Sequence, residues 1–373
     1  MKKIIVNAIP LRGPMNGIGR YIRSIFTELS EKKDIDLEFF YGTYFSKKLE
    51  GDAAINPALL SVAKNIPFYY ALRELYVSRA IKYKIKKNKY IYHNPNFISY
   101  KLDVPIITNI HDISFIKYPE YHPKKRVDFL TAHIKNSISI SDIILTDSNF
   151  IRDEIIDYFK ISQDRVVSIP LAAGQTFTKL KFNDIDQVLS SVSLIYKKYF
   201  LSVSTIEPRK NIISAIKAFI NLPTKIQNEY PFVIVGGGGW LNSDFYSLIS
   251  PLVATKKIIL LGYLAEEKLP SLYAGAKLFI YPSIYEGFGL PILEASACGT
   301  PVITSNTSSI PEIASSFAVM VNPTNIDDIC SGIMSIISND SYEKKLIIYG
   351  LNNTKKYTWA NTANQTLKIY DQL

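Results

Sequence analysis

Short runs of β-branched and aromatic residues alternate with longer amphipathic stretches along almost the whole chain. In the first half, the runs at 4–7, 37–41, 106–110, 143–146 and 166–169 predict strands, and 18–31, 69–85, 124–139 and 149–159 predict helices between several of them. In the second half, strands are predicted at 199–204, 232–235, 258–261, 278–281, 302–304 and 318–321. Helices at about 211–221, 243–254, 266–274, 290–298, 309–316, 325–338 and 359–371 fill the gaps and close the chain. Apolar strands joined through helices imply parallel sheets covered on both faces. Two such blocks imply an α/β protein of two doubly wound, Rossmann-like domains. The break falls near 175–198, where a polar, poorly periodic segment at 176–187 precedes a helix-like stretch at 189–198.

In open α/β sheets, ligands bind outside the carboxyl ends of the strands, so the residues after each strand are the candidates for chemistry. The first such loop holds Gly17 and Gly19, which let backbone N–H groups approach a phosphate or sugar closely. It is not a dinucleotide fingerprint, because Tyr21 and Ile22 follow where the third glycine belongs, and this disfavours an oxidoreductase. His111 follows the strand 106–110, beside Asp112, where a histidine can carry a proton or donate a hydrogen bond to a hydroxyl. His93 is a weaker candidate of the same kind, and His122 and His133 read as surface or helix positions.

Arg209 and Lys210, in Glu207-Pro208-Arg209-Lys210-Asn211, are adjacent cations at a strand end and a helix start. A planar fork and a compact point charge suit a diphosphate. Cations there oppose the helix dipole, so a nearby anion would explain them. Gly236, Gly237, Gly238 and Gly239 carry an entropy cost that close approach of a nucleobase or phosphate would justify. In Glu286-Gly287-Phe288-Gly289-Leu290-Pro291-Ile292-Leu293-Glu294, the glycines bare the amides of a helix start, an anion site. Pro291 suits the first turn and Gly299 the end of that helix. Glu286 and Glu294 are ill-placed to bind phosphate and well placed to accept hydrogen bonds from sugar hydroxyls.

Composition narrows the partners. The 373 residues allow two domains and a sizeable core. Lys and Arg number 43 against 33 Asp and Glu, a net charge of +10. Basic residues cluster at Lys82, Lys84, Lys86, Lys87 and Lys89 and at Lys124, Lys125 and Arg126, which fits a solvated helix face or an anionic membrane surface. Nucleic acid is not a predicted partner, because no recognition motif accompanies the charge. Cys298 and Cys330 form no metal spacing with the four histidines and read as free thiols of a reducing cytoplasm. The apolar run at the N-terminus stops at Asn7, too short for a signal-peptide core, and no run approaches the length of a membrane span.

These loops resemble the retaining glycosyltransferases of family 4, which have the GT-B fold. The likeness runs from Gly17-Ile18-Gly19 to the closing helix, and its specific parts are Pro208-Arg209-Lys210-Asn211 and the acid–seven–acid motif Glu286 to Glu294. His111-Asp112-Ile113-Ser114-Phe115 is similar to the form found in bacterial mannosyltransferases of O-antigen and polysaccharide assembly. The resemblance implies two domains facing across a cleft: 1–185 on the acceptor side, 186–356 for the donor, and 357–373 crossing back to the first. It implies that Arg209, Lys210 and the amides of Phe288, Gly289 and Leu290 bind the donor diphosphate, with Gly17 and Gly19 close to it. Glu294 would hold the ribose, and Glu286 and His111 would contact the transferred sugar.

The implied reaction is metal-independent transfer of a hexose, with mannose from GDP-mannose favoured. The implied acceptor is a saccharide, with a lipid-linked oligosaccharide favoured, met in the cytoplasm or at the inner face of the cytoplasmic membrane. A front-face substitution assisted by the leaving diphosphate needs no acid–nucleophile pair, and none stands out. UDP- or dTDP-sugars remain alternative donors, and a non-catalytic sugar-nucleotide-binding protein is the alternative of another class.

Overall fold

The computed structural model describes all residues except 14–16, 51–68, 87–88 and 241–242, and except the side chains of 69–74. Lys87 of the basic cluster therefore lies outside the described residues. The chain divides into two compact units. One comprises Met1–Ile113, Asp128–Leu171 and Trp359–Leu373, and the other Ser114–Val127 and Ala172–Thr358. The first half thus closes at 171 instead of 185, and it cedes 114–127 to the second unit.

The first unit is built on a seven-stranded sheet. Its strands are β1 (Lys2–Asn7), β2 (Ile35–Phe40), β3 (Phe45–Ser46), β4 (Tyr90–Asn94), β5 (Ile106–Asn109), β6 (Ile143–Thr146) and β7 (Val166–Ser168). They lie in the order β3-β2-β1-β4-β5-β6-β7, and only β3 runs antiparallel. Ile4, Ile5 and Val6 are fully buried, as expected for a strand covered on both faces. Strand β4 has no clear apolar signature, because His93 and Asn94 end it. It is nevertheless central and buried throughout, and hydrogen bonds to both polar side chains make that burial tolerable. Helix α1 (Gly17–Ser30) covers the sheet with Tyr21, Ile22, Ile25, Phe26 and Leu29, one stripe at helical spacing. The closing helix, Trp359–Gln372, buries Trp359, Thr362, Ala363, Thr366, Ile369 and Tyr370 in this unit, and Thr362 Oγ1 donates to Pro170 O at 2.7 Å.

The second unit has a six-stranded, wholly parallel sheet: β8 (Phe200–Val203), β9 (Phe232–Val235), β10 (Ile258–Gly262), β11 (Leu278–Tyr281), β12 (Val302–Ser305) and β13 (Val319–Val321). Their order is β10-β9-β8-β11-β12-β13. Phe200, Phe219, Phe232, Ile280 and Ile303 form part of its core, and full burial of such a side chain is worth about 1.5–3 kcal/mol. The helix predicted at 189–198 lies instead at Phe182–Ser191. The polar stretch that obscured it supplies its start: the Lys181 amide donates to Asp184 Oδ2 at 3.2 Å. Ser193 and Lys197, both at φ 57°, break any continuation. A further helix, Asp340–Thr354, was not predicted and buries only Leu346, Gly350 and Thr354, too sparse a stripe to read.

Strand order reverses between β1 and β4 in one sheet and between β8 and β11 in the other. Loops leaving those strands at their carboxyl ends are the ones a doubly wound sheet offers to a ligand.

Candidate active site

The reversal point of the second sheet carries a cluster of largely buried charged side chains. After β8 the chain makes a 3-10 turn, Pro208–Lys210, ended by Asn211 in the left-handed conformation at φ 54°. Asn211 Nδ2 donates to Pro282 O at 3.0 Å and to Pro323 O at 2.7 Å, and the Ile284 amide donates to Arg209 O at 2.9 Å. The loops after β8 and β11 are thereby fixed to each other.

Arg209, Lys210 and Glu286 meet there. Lys210 Nζ donates to Glu286 Oε1 at 2.7 Å and to Tyr281 Oη at 2.9 Å. Arg209 Nη1 donates to Glu286 Oε2 at 3.1 Å and to Tyr285 O at 2.6 Å, and its Nη2 donates to Glu207 Oε1 at 2.8 Å. Tyr281 Oη and Ser283 Oγ also donate to Glu286 Oε1, at 2.8 and 2.5 Å. Glu286 is 6% exposed. Burial by itself would raise its carboxyl, but the charges of Lys210 and Arg209 and the hydrogen bonds from Lys210 and Ser283 outweigh it and hold the group at about 2.

The anion that the two cations required is therefore in the chain itself. Glu286 and Glu207 balance Arg209 and Lys210 one for one. Glu207, Tyr281 and Ser283 belong to the same cluster and were not among the sequence candidates, although Glu207 lies in the Arg209–Lys210 motif and the other two within a few residues of Glu286. Aromatic packing extends from there. Tyr118, in the segment ceded to this unit, lies 5.5 Å from Tyr285, and Trp240 Nε1 donates to Tyr121 O at 2.6 Å. His122, read from the sequence as a surface or helix position, is 5% exposed and bonds through Nε2 to Ser114 Oγ at 2.9 Å.

The helix after Glu286 runs Leu290–Ala297 and is entered through Gly289 at φ 102°, a conformation that favours glycine. Gly299, at φ 75°, follows its end. The first amides of a helix have no intrahelical acceptor, which applies to Leu290 and its neighbours. Phe288 is 4% exposed, its ring 5.8 Å from Tyr357. Glu294 faces inward from this helix: it is 2% exposed, and its Oε2 accepts from Tyr273 Oη at 2.9 Å.

Two positions of the four-glycine loop have a reason within the chain itself. A Cβ on Gly236 would sit 1.8 Å from Ser204 O, and one on Gly239 would sit 2.3 Å from Ile206 O. The loop runs beside 204–206, with the Ile206 amide donating to Gly237 O at 3.2 Å. The close approach at Gly236 and Gly239 is to the chain's own backbone. Gly237 alone of the four has nothing within 4 Å of a built Cβ.

In the first unit, His111 follows β5, 12% of its side chain exposed, and its Nδ1 lies 2.8 Å from Asp147 Oδ2. The Nδ1 partner is thus Asp147, just past the end of β6. Asp147 stands at a strand's carboxyl end, the positional signal that selected His111, but a lone aspartate there drew no notice. His111 Nε2 lies 3.3 Å from Pro95 O, and the rings of Tyr21 and Phe97 lie edge-on at 5.2 and 6.0 Å. His93 is fully buried between Tyr370 and Asn109. Gly17 opens α1 with no atom within 4 Å of a built Cβ, and Gly19 is buried in the same helix.

The profile of the family described as Glycosyltransferase Family 4 matches residues 15–172, and that of Glycosyl transferases group 1 matches 191–353. O-antigen chain mannosyltransferase B of Escherichia coli is 35% identical over 381 residues, covering 100% of both chains. The chain belongs to glycosyltransferase family 4. O-antigen chain mannosyltransferase RfbU of Salmonella typhimurium is 26% identical to this glycosyltransferase over 89% of the chain and 90% of its own length. HepE of Anabaena, solved in complex with UDP and glucose, shares the fold at a TM-score of 0.75, with 16% identity over 100% of each chain. The enzyme is a nucleotide-sugar-dependent glycosyltransferase of GT-B fold. Among the described residues, no group of three or more His, Cys, Asp or Glu side chains is arranged to hold a metal ion, and no helix is long and apolar enough to cross a membrane.

Proposed function

We propose that this glycosyltransferase moves mannose from GDP-mannose, with retention and without a metal ion, to a saccharide acceptor in O-antigen or related surface-polysaccharide assembly. The observation that carries the reading is the ion-pair cluster at the β8/β11 reversal. Arg209 and Lys210 are held side by side, largely dehydrated, where donor charge develops as the sugar–phosphate bond breaks. Preorganised donors at such a place stabilise a leaving group without reorganising. The diphosphate takes over part of their hydrogen bonding, and Glu286 is then free to accept from hydroxyls of the transferred sugar. Glu294 accepts from the ribose, the amides of Phe288, Gly289 and Leu290 and the turns at Gly17, Gly19 and Gly237 approach the phosphates, and His111 donates to the sugar. The choice of mannose rests on the names of the two relatives above and on the His111 block.

Thermal-shift measurements with GDP, UDP, dTDP and their sugars, in EDTA and again with magnesium added in excess, test the donor. A ligand at about a hundred times its Kd stabilises the native state by about 2.7 kcal/mol, so GDP and GDP-mannose are expected to raise Tm by several degrees. A shift with UDP-sugars alone would replace the donor, and a shift that needs added magnesium would overturn the metal-free reaction.

The acceptor is proposed to be lipid-linked and met at an anionic membrane face. Leu75, Tyr76 and Tyr83 are exposed on the helix Tyr69–Ile85, whose last turn carries Lys82 and Lys84. Lys84 is already paired with Glu38 at 2.6 Å, so Lys82 and its neighbours carry the attraction. Co-sedimentation with phosphatidylglycerol vesicles at low salt, weakened at high salt, is expected; no binding at low salt would refute the contact.

A further inference from the structure

The two buried histidines of the first unit differ in what their nitrogens face. His93 Nε2 lies 2.7 Å from Asn109 Oδ1, which only accepts, and its Nδ1 lies 2.6 Å from Tyr370 Oη, which can donate. One proton satisfies that ring, and Asn109 is left to donate through Nδ2 to Tyr21 Oη at 2.9 Å. His93 is neutral. His111 is placed between two acceptors: the Asp147 carboxylate at Nδ1 and the Pro95 carbonyl at Nε2. Only a ring protonated on both nitrogens satisfies both.

We propose that Asp147 is a positioning residue that keeps His111 a doubly protonated imidazolium, so that His111 meets the substrate as a cationic hydrogen-bond donor and not as a general base. The proposal rests on the assignment of His111 to the transferred sugar. Asp147 is 4% exposed, so its charge is weakly screened and the short Nδ1 bond fixes the ring's orientation. At 3.3 Å, the Nε2–H bond to Pro95 O is the longer of the two and the one a ligand oxygen can share.

The groups around the ring agree with this charge. Burial by itself would lower the His111 imidazolium; the charge of Asp147 and its hydrogen bond, then the Pro95 carbonyl and Asp112, override it and raise it above the ordinary value. His93, pushed down to about 4 by burial, carries no competing charge at neutral pH. Tyr21 keeps its proton, because burial and then the Asp147 charge raise its phenol. The edge-on rings of Tyr21 and Phe97 add no titrating partner near neutrality. A doubly protonated ring can donate through Nε2–H to a sugar oxygen, and it has no proton vacancy with which to deprotonate an acceptor hydroxyl.

The test is an NMR titration of histidine-labelled full-length protein, with the His111→Gln variant assigning the signal, alongside pH–rate profiles of GDP release from GDP-mannose. The His111 midpoint is expected above that of a free histidine, and Asp147→Asn is expected to lower it by about one unit or more, which cuts the protonated fraction on the alkaline side by about tenfold. The alkaline decline in kcat should move down with it, with KM for GDP-mannose little changed, and Asp147→Glu should restore part of the shift. A wild-type midpoint at or below the free value, or an Asp147→Asn profile that falls equally at every pH, overturns the proposal. If no nucleotide sugar is turned over, the donor reading fails, and the titration still decides the charge of His111.

Discussion

Lys210→Met is expected to lower kcat for GDP-mannose turnover by about a hundred- to a thousandfold, the loss that follows removal of one preorganised donor to a developing negative charge. Lys210 is the better probe of the two cations. Arg209 also ties Tyr285 O and Glu207 into the loop, so its truncation loosens the site as well as discharging it. Methionine keeps the apolar stem of Lys210, and Glu286 Oε1 retains Tyr281 and Ser283 as donors while Arg209 still holds Oε2. The folded site should therefore survive with one charge fewer. Steady-state kinetics paired with thermal melts check this: a large loss in kcat with a modest change in Tm is the expected pair. Turnover at the wild-type rate would remove Lys210 from the diphosphate site.

The sequence made legible what depends on periodicity and on strand ends. Strands β9 and β11 have the predicted bounds, because four apolar residues between polar loops leave little choice of register. Strand β4 and the helix Phe182–Ser191 escaped because their signals are not apolar: one is made tolerable by long-range hydrogen bonds to its polar end, the other begins with a side chain bonding back to Lys181. The site followed the same division. Position singles out Arg209, Lys210 and Glu286 as candidates, but not their mutual neutralisation, which requires that the loops after β8 and β11 be adjacent. That adjacency follows from the strand order, which local pattern does not encode. Position singles out His111 but not its contact with Asp147 for the same reason: 36 residues of chain separate the two, and only the pairing of β5 with β6 brings them to 2.8 Å. In the glycine loop a local rule pointed to close approach, and at Gly236 and Gly239 the chain's own backbone at 204–206 makes one.

Glu286 is the residue on which this balance turns, and its two substitutions should separate charge from shape. Glu286→Ala leaves Arg209 and Lys210 dehydrated with Glu207 as their remaining carboxylate in the cluster, and breaking a buried ion pair in this way costs about 3–5 kcal/mol. Glu286→Gln keeps the acceptor that Tyr281 and Ser283 need and should cost less, while still abolishing most turnover if the carboxylate reads the sugar. The pH dependence has a definite sign. The folded-state carboxyl lies at about 2, below its ordinary 4.5, so its contribution to stability is complete above 4.5 and is lost as pH falls toward 2. That displacement corresponds to about 3 kcal/mol. Urea melts of the wild type and Glu286→Gln at pH 7, 4.5 and 3 should show a stability gap that is constant over the first interval and narrows over the second. A gap unchanged at pH 3 would mean that Glu286 is not held ionised by Arg209 and Lys210.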